Sequence, residues 1–98
     1  MLIINILIME NIYDNVKVGD IVYAGDKPNR QIFFIHNIVE TEPREIISSG
    51  FNEGGGIVYP KLPCCGFCFI ANEEEKREFM EIAIEKGYKF DRNNGFSR

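Results

Sequence analysis

At residue 72 the hydrophobic period of this chain changes. Upstream, apolar residues come in short runs rich in Ile, Val, Phe and Tyr, broken by Gly, Asn, Asp and Pro. Downstream, Asn72 is an N-cap residue, and Glu75 three positions on is its reciprocal partner in a capping box. Glu73, Glu74 and Glu75 suit the positive end of a helix dipole. Phe79, Met80, Ile82, Ala83 and Ile84 then form an apolar face at helical spacing. Gly87 follows as the C′ residue, with Tyr88 beyond it able to pack back. The pattern predicts one helix over about 73–86.

The upstream runs read as strands. Val16 and Val18 alternate with polar residues, and Gly19-Asp20 bends the chain into a strand from Ile21 to Ala24. Gln31 to Glu40 is the longest strand, with Ile32, Phe34 and Ile38 on one face and Phe33, Ile35 and Val39 on the other. A strand apolar on both faces is central and covered on each side. A shorter strand centres on Ile46 and Ile47, and Gly54-Gly55-Gly56 is a flexible turn. Ile57 to Tyr59 and Phe67 to Ala71 are two more strands, separated by a loop that Pro60 and Pro63 keep out of the sheet interior. Tyr88-Lys89-Phe90 adds a short strand, and Asn93-Asn94-Gly95 is either a turn or part of a frayed tail over 91–98. The expected class is α+β: a strongly bent antiparallel sheet of five to six strands, or a small barrel, closed by one C-terminal helix.

The 98 residues make one domain. Residues 1–9 add an N-terminal strand or extension, and Met9 offers a second start. With 45% hydrophobic and 27% charged residues, the composition is that of a globular chain and not a disordered tail. Eleven basic against 15 acidic side chains leave a net charge of −4, which ranks nucleic acid low as a partner. The apolar run Leu2 to Met9 has no basic residue before it and no small-residue cleavage site, so it does not read as a signal peptide. It is also far short of the ~20 residues of a membrane span. Three Cys within five residues do not form a secreted disulfide framework, and the expected compartment is the cytoplasm. Leu2 to Ile8 is apolar on both strand faces, so it is either buried or paired with a second subunit, as in a homodimer formed through residues 2–8.

Two stretches carry a resemblance. Phe69-Ile70-Ala71-Asn72-Glu73-Glu74-Glu75-Lys76, through Phe79, to Gly87-Tyr88-Lys89-Phe90-Asp91 is similar to the endings of uncharacterised small proteins in phages and prophages of gut bacteria. Asn72 stands where Thr is commoner and Phe90 where Trp is commoner, and both changes preserve the chemistry. Val18-Gly19-Asp20-Ile21-Val22-Tyr23, with Ile32-Phe33-Phe34, resembles the opening of small barrels of the Src-homology kind. The resemblance implies a Src-homology-like barrel and a mobile-element origin. It carries no catalytic residues.

Cys65-x-x-Cys68 has the spacing that wraps a zinc ion, and Cys64 or His36 would complete four ligands. Against this, vicinal Cys64 and Cys65 seldom ligate one ion, and Cys68 reads equally as a small core hydrophobe. The expected protein has no cofactor, with zinc as the alternative. His36 is the only histidine; as a general base it lacks an identifiable nucleophile and orienting group, although Glu40 lies on the same strand face. The glycines at 54–56 precede a strand and not a helix, so a hairpin turn is preferred to a phosphate loop. Glu73 to Glu78 reads as the solvated start of a helix. Arg30, His36, Arg44, Tyr59 and Lys61 remain as a contact surface, mostly in or beside loops.

The expected function is therefore a non-enzymatic binding module: a phage or mobile-element accessory protein that contacts a host protein, with an anti-defence role among its options. The alternatives are an oligomeric binder of a small nucleotide signal, with Arg30 and Arg44 in its pocket, and a zinc-stabilised small domain.

Overall fold

A nine-residue strand with apolar side chains on both faces must sit between two covering layers, and the strand Gln31–Val39 (β2) does. The structure is a computed structural model that describes residues 15–42, 44–58, 61–62 and 68–98. Strand β1, Ile21–Ala24, pairs antiparallel with β2 from Ile21↔Phe34 to Ala24↔Gln31. Strand β3, Glu45–Asn52, pairs with the other side of β2 from Gln31↔Asn52 to Val39↔Glu45. The register shifts between Ile35 and Asn37, which makes His36 a β-bulge residue.

The sheet is finished by two-residue strands. β4 (Ile57–Val58) and β5 (Lys61–Leu62) pair with β3 at different points along it, and β6 (Phe69–Ile70) pairs with β1. The order is β4-β3-β2-β1-β6, with β5 also on β3. Gly54-Gly55-Gly56 is the hairpin turn between β3 and β4, as expected; Gly55 and Gly56 take φ of +139° and +90°. The barrel form of the sequence expectation is not realised. Among the described residues no ladder joins β6 to β4 or β5, so the sheet stays open. Edge strands of two residues offer too few hydrogen bonds to close it, and a helix and a hairpin cover one face instead.

The helix, α1, runs Glu73–Glu85. Its capping box is complete: Asn72 Oδ1 accepts from Glu75 N at 2.8 Å, and Glu75 Oε1 accepts from Asn72 N at 3.0 Å. At the other end Tyr88 N donates to Ala83 O (2.9 Å) and Gly87 N to Ile84 O (3.0 Å), a Schellman ending with Gly87 at φ +86°. Asn72→Ala removes one arm of the box and is expected to cost about 1 kcal/mol. That is a fall in Tm of roughly 4–8 °C, read by circular dichroism; an unchanged midpoint would show that tertiary packing alone holds the helix start.

Phe79 and Ala83, one turn apart, are the buried positions of α1, with Met80 and Ile82 half-buried beside them. Ile84, expected on the same face, is 73% exposed. It follows Ala83 by one residue, a step of about 100° around the axis, and the buried stripe is too narrow to reach it.

After Gly87 the chain does not fray. β7 (Lys89–Asp91) and β8 (Gly95–Ser97) form an antiparallel hairpin across the turn expected at Asn93-Asn94-Gly95. Phe96 is fully buried. Its ring meets Phe51 edge-on at 5.1 Å, and Phe34 meets Phe90 in the same manner at 4.7 Å. The hairpin is pinned to β3 by one hydroxyl: Ser49 Oγ donates to Asn94 O (2.8 Å) and accepts from Phe96 N (3.1 Å). Ile21, Ile32, Phe34, Phe51, Ala71, Phe79, Ala83, Tyr88 and Phe96 form the core under α1 and the hairpin. Full burial of each large apolar side chain there contributes about 1.5–3 kcal/mol before the entropy of ordering is subtracted. On the opposite face of the sheet Val16, Val22, Ile35 and Ile46 cluster with Ile38 and Cys68. The central, doubly covered β2 read from the sequence is therefore present.

Candidate functional site

Among the described residues, those singled out in the sequence do not converge. Arg30 and Arg44 flank opposite ends of the β2–β3 ladder, since Gln31 pairs with Asn52 and Val39 with Glu45. At about 3.3 Å per residue they are separated by roughly 30 Å along the sheet. They do not line one pocket of a single chain. Arg44 Nε lies 3.1 Å from Glu40 Oε1, and its Nη2 donates to Val16 O at 3.2 Å. Glu40 is thus engaged by Arg44.

Arg30 is a tie within the fold. Its side chain is only 11% exposed, and it donates from Nε and Nη2 to the two Glu53 carboxylate oxygens at 2.8 and 3.0 Å. The guanidinium also lies 4.8 Å from the Phe79 ring centroid and 3.7 Å from Glu78 Oε2. One cation so joins the β1–β2 loop, the β3–β4 turn and α1. The hydrogen bonds from Arg30 hold the Glu53 carboxyl below its ordinary pKa, against the opposing effect of burial. The same bonds raise Arg30. Next to this cluster the Tyr23 hydroxyl donates to Glu75 Oε2 at 2.8 Å, linking β1 to the helix start. That bond, with burial second, raises the Tyr23 pKa. Glu75 is lowered first by the Asn72 backbone N–H and then by Tyr23.

His36 sits half-buried at the bulge. Gly95 stands between it and Ser49, for a Cβ there would overlap Ser49 Oγ and come within 3.2 Å of His36 Cδ2. A serine beside a histidine invites a nucleophile–base reading. The Ser49 proton, however, is donated to Asn94 O, and the residue is 1% exposed. The Ser49 hydroxyl is a structural pin. Cys68 packs as a half-buried hydrophobe against the Val16–Val22–Ile35–Ile46 cluster. Among the described residues no group of three His, Cys, Asp or Glu is placed to hold a metal ion. Tyr59, Cys64, Cys65, the Lys61 side chain and the Leu2–Ile8 segment lie outside the described residues. No helix among the described residues is long and apolar enough to cross a membrane.

What the fold does assemble is a cleft that the sequence did not announce. Its floor is apolar: Ile21 and Phe34 from the sheet, Met80 from α1 and Phe90 from β7. Its rim carries Lys76 and Arg77 on the helix side and Arg92, just past β7, on the hairpin side; Glu73 is the one carboxylate. The cavity volume is about 330 Å³, open to solvent. Lys76 lies 3.5 Å from Glu73, both on the helix surface. Arg77 and Arg92 have no ion-pair partner among the described residues. Three cations around an apolar floor stand out on a chain of net charge −4. The only sequence signal was Lys76-Arg77 within a glutamate-rich run, and nothing local connects it with Arg92. No protein-family model, curated protein or solved structure matches this chain.

Proposed function

We propose that this chain is a non-enzymatic binding module whose working surface is the cleft between α1 and the β7–β8 hairpin. On this reading it is an accessory protein of a phage or other mobile element, acting in the host cytoplasm on a host protein. The observation that supports it is the cleft's makeup: an apolar floor of Ile21, Phe34, Met80 and Phe90 under a rim of Lys76, Arg77 and Arg92. A patch of that kind favours an anionic partner with an apolar contact residue, because steering by the rim and burial on the floor act together. The Ser49 hydroxyl beside the histidine is committed to backbone partners, which favours binding over covalent chemistry.

The test is affinity capture from lysate of the bacterium that carries the gene, with wild type and the Arg77→Glu/Arg92→Glu double variant on parallel columns. One protein is expected in stoichiometric amount on the wild-type column. It should be absent from the double variant and released by 0.5 M salt, roughly where screening shortens electrostatic reach to a few ångströms. Equal retention on both columns would remove the cleft from the function.

A further inference from the structure

We propose that the cleft receives one large apolar side chain from an acidic peptide segment, with carboxylates on either side of that residue meeting Lys76 and Arg77 on one wall and Arg92 on the other. This deepens, and rests on, the reading of the cleft as the working surface.

Openness argues for a side chain and against a whole small molecule. Pockets that hold small ligands run from roughly 300 to 1,000 Å³ and bury about 70–90% of the ligand. The cleft, at about 330 Å³, lies at the lower end of that range, and because it is open to solvent it leaves much of a nucleotide's base, sugar and phosphate unburied. It does seat one aromatic or branched side chain, as an anchor residue is seated at the centre of a protein interface.

The floor argues for an apolar anchor. Ile21 and Phe34 are buried and belong to the rigid sheet, while Met80 and Phe90 are half-buried and line the cleft. Met80 brings a thioether that adapts to aromatic and aliphatic shapes alike. An apolar body in the cleft packs against Met80 and Phe90, the part of the floor the fold does not already cover.

The rim argues for carboxylates in small number. Planar guanidinium groups match carboxylate geometry in a bidentate fork, and Arg77 and Arg92 have no acidic partner among the described residues. The net charge of −4 repels a polyanion at long range, so recognition depends on the short reach of these three cations. A segment with a few acidic residues meets that condition, and a nucleic-acid strand does not.

The experiment is panning of a displayed library of random 12-residue peptides on the wild-type protein, with counter-selection on the Arg77→Glu/Arg92→Glu variant. Enriched sequences are expected to place Phe, Trp, Leu or Met within two positions of Asp or Glu. A synthetic peptide of the enriched sequence should shift the amide resonances of Ile21, Arg77, Met80, Phe90 and Arg92 in titrations followed by NMR. Arg77→Glu, Arg92→Glu and replacement of the peptide's anchor by Ala should each weaken binding about tenfold or more. Thermal melts establish that the two variants, altered on an exposed rim, keep the fold. Enrichment of neutral or basic sequences, no enrichment, or shifts confined to another surface overturns the proposal. So does saturation of the same amides by adenosine monophosphate or inorganic phosphate at lower concentration than the peptide. If the host protein is still captured through the cleft while peptides fail, the binding role stands and the peptide assignment falls.

Discussion

Replacing Gly50 with alanine is expected to lower Tm by more than about 12 °C or to leave the chain unfolded. Gly50 lies in β3 opposite Phe33 on one side and Val58 on the other. A Cβ built there would overlap the Ile32 carbonyl and the Phe33 Cα, both backbone atoms of β2. A flexible side chain could swing aside; a strand held on both edges cannot. So close an approach of two backbones is one that only glycine permits. Relief requires β2 and β3 to separate where their ladder is continuous from Gln31↔Asn52 to Ile35↔Ser48. The cost is about 3 kcal/mol or more, a large share of the roughly 5–15 kcal/mol that a domain of this size has in total. Each kcal/mol is worth about 4–8 °C here. Ser48→Ala, two residues away, is the internal control. Ser48 Oγ is buried with no hydrogen-bond partner among the described residues, so losing it should leave Tm unchanged or raised. A Gly50→Ala protein melting within a few degrees of wild type would contradict the observed packing of β2 against β3.

Glu53→Gln is expected to cost roughly 2 kcal/mol at neutral pH and to flatten the acid side of the stability profile. The Arg30 and Glu53 side chains are 11% and 13% exposed. Removing one charge from a buried pair strands the other, at about 3–5 kcal/mol when burial is complete; residual hydration of this pair reduces the figure. The sign of the pH effect follows from the direction of the shift. Glu53 holds its proton less firmly in the fold than in the unfolded chain. Its stabilisation is therefore full above the ordinary carboxylate pKa and is lost as pH falls through the lower, folded value. Glu75 is shifted in the same direction and keeps part of the acid dependence in the variant. Urea titrations from pH 7 down to pH 3 measure both effects. Changing the pair together, Arg30→Met with Glu53→Leu, should recover most of the loss, because Met at 30 can still cover the Phe79 ring. Wild-type stability for Glu53→Gln at pH 7 would show that the pair contributes nothing net.

Local chemistry made much of this legible in the residues alone. The ends of α1 are set by groups within five positions of one another: Asn72 with Glu75, and Ala83 and Ile84 with Gly87 and Tyr88. The two-faced apolar pattern of Gln31–Val39 likewise states that both sides must be covered, and they are. Periodicity misplaced Ile84 because it shows which residues are apolar and not how wide a stripe the sheet accepts.

What depended on distant partners was invisible beforehand. Asn93-Asn94-Gly95 reads as a turn by composition, but whether it carries a docked hairpin is decided by the Ser49 hydroxyl 45 residues away in sequence. Arg30 looked like a loop cation available for contact until Glu53 and Phe79 came to meet it. Lys76 and Arg77 looked like part of a solvated helix start until Arg92 closed the opposite rim. Secondary structure here follows from hydrogen bonds and side-chain spacing over a few residues, which a linear string records. The cleft and the buried ion pair exist only where separate elements meet, and tertiary packing alone sets those distances.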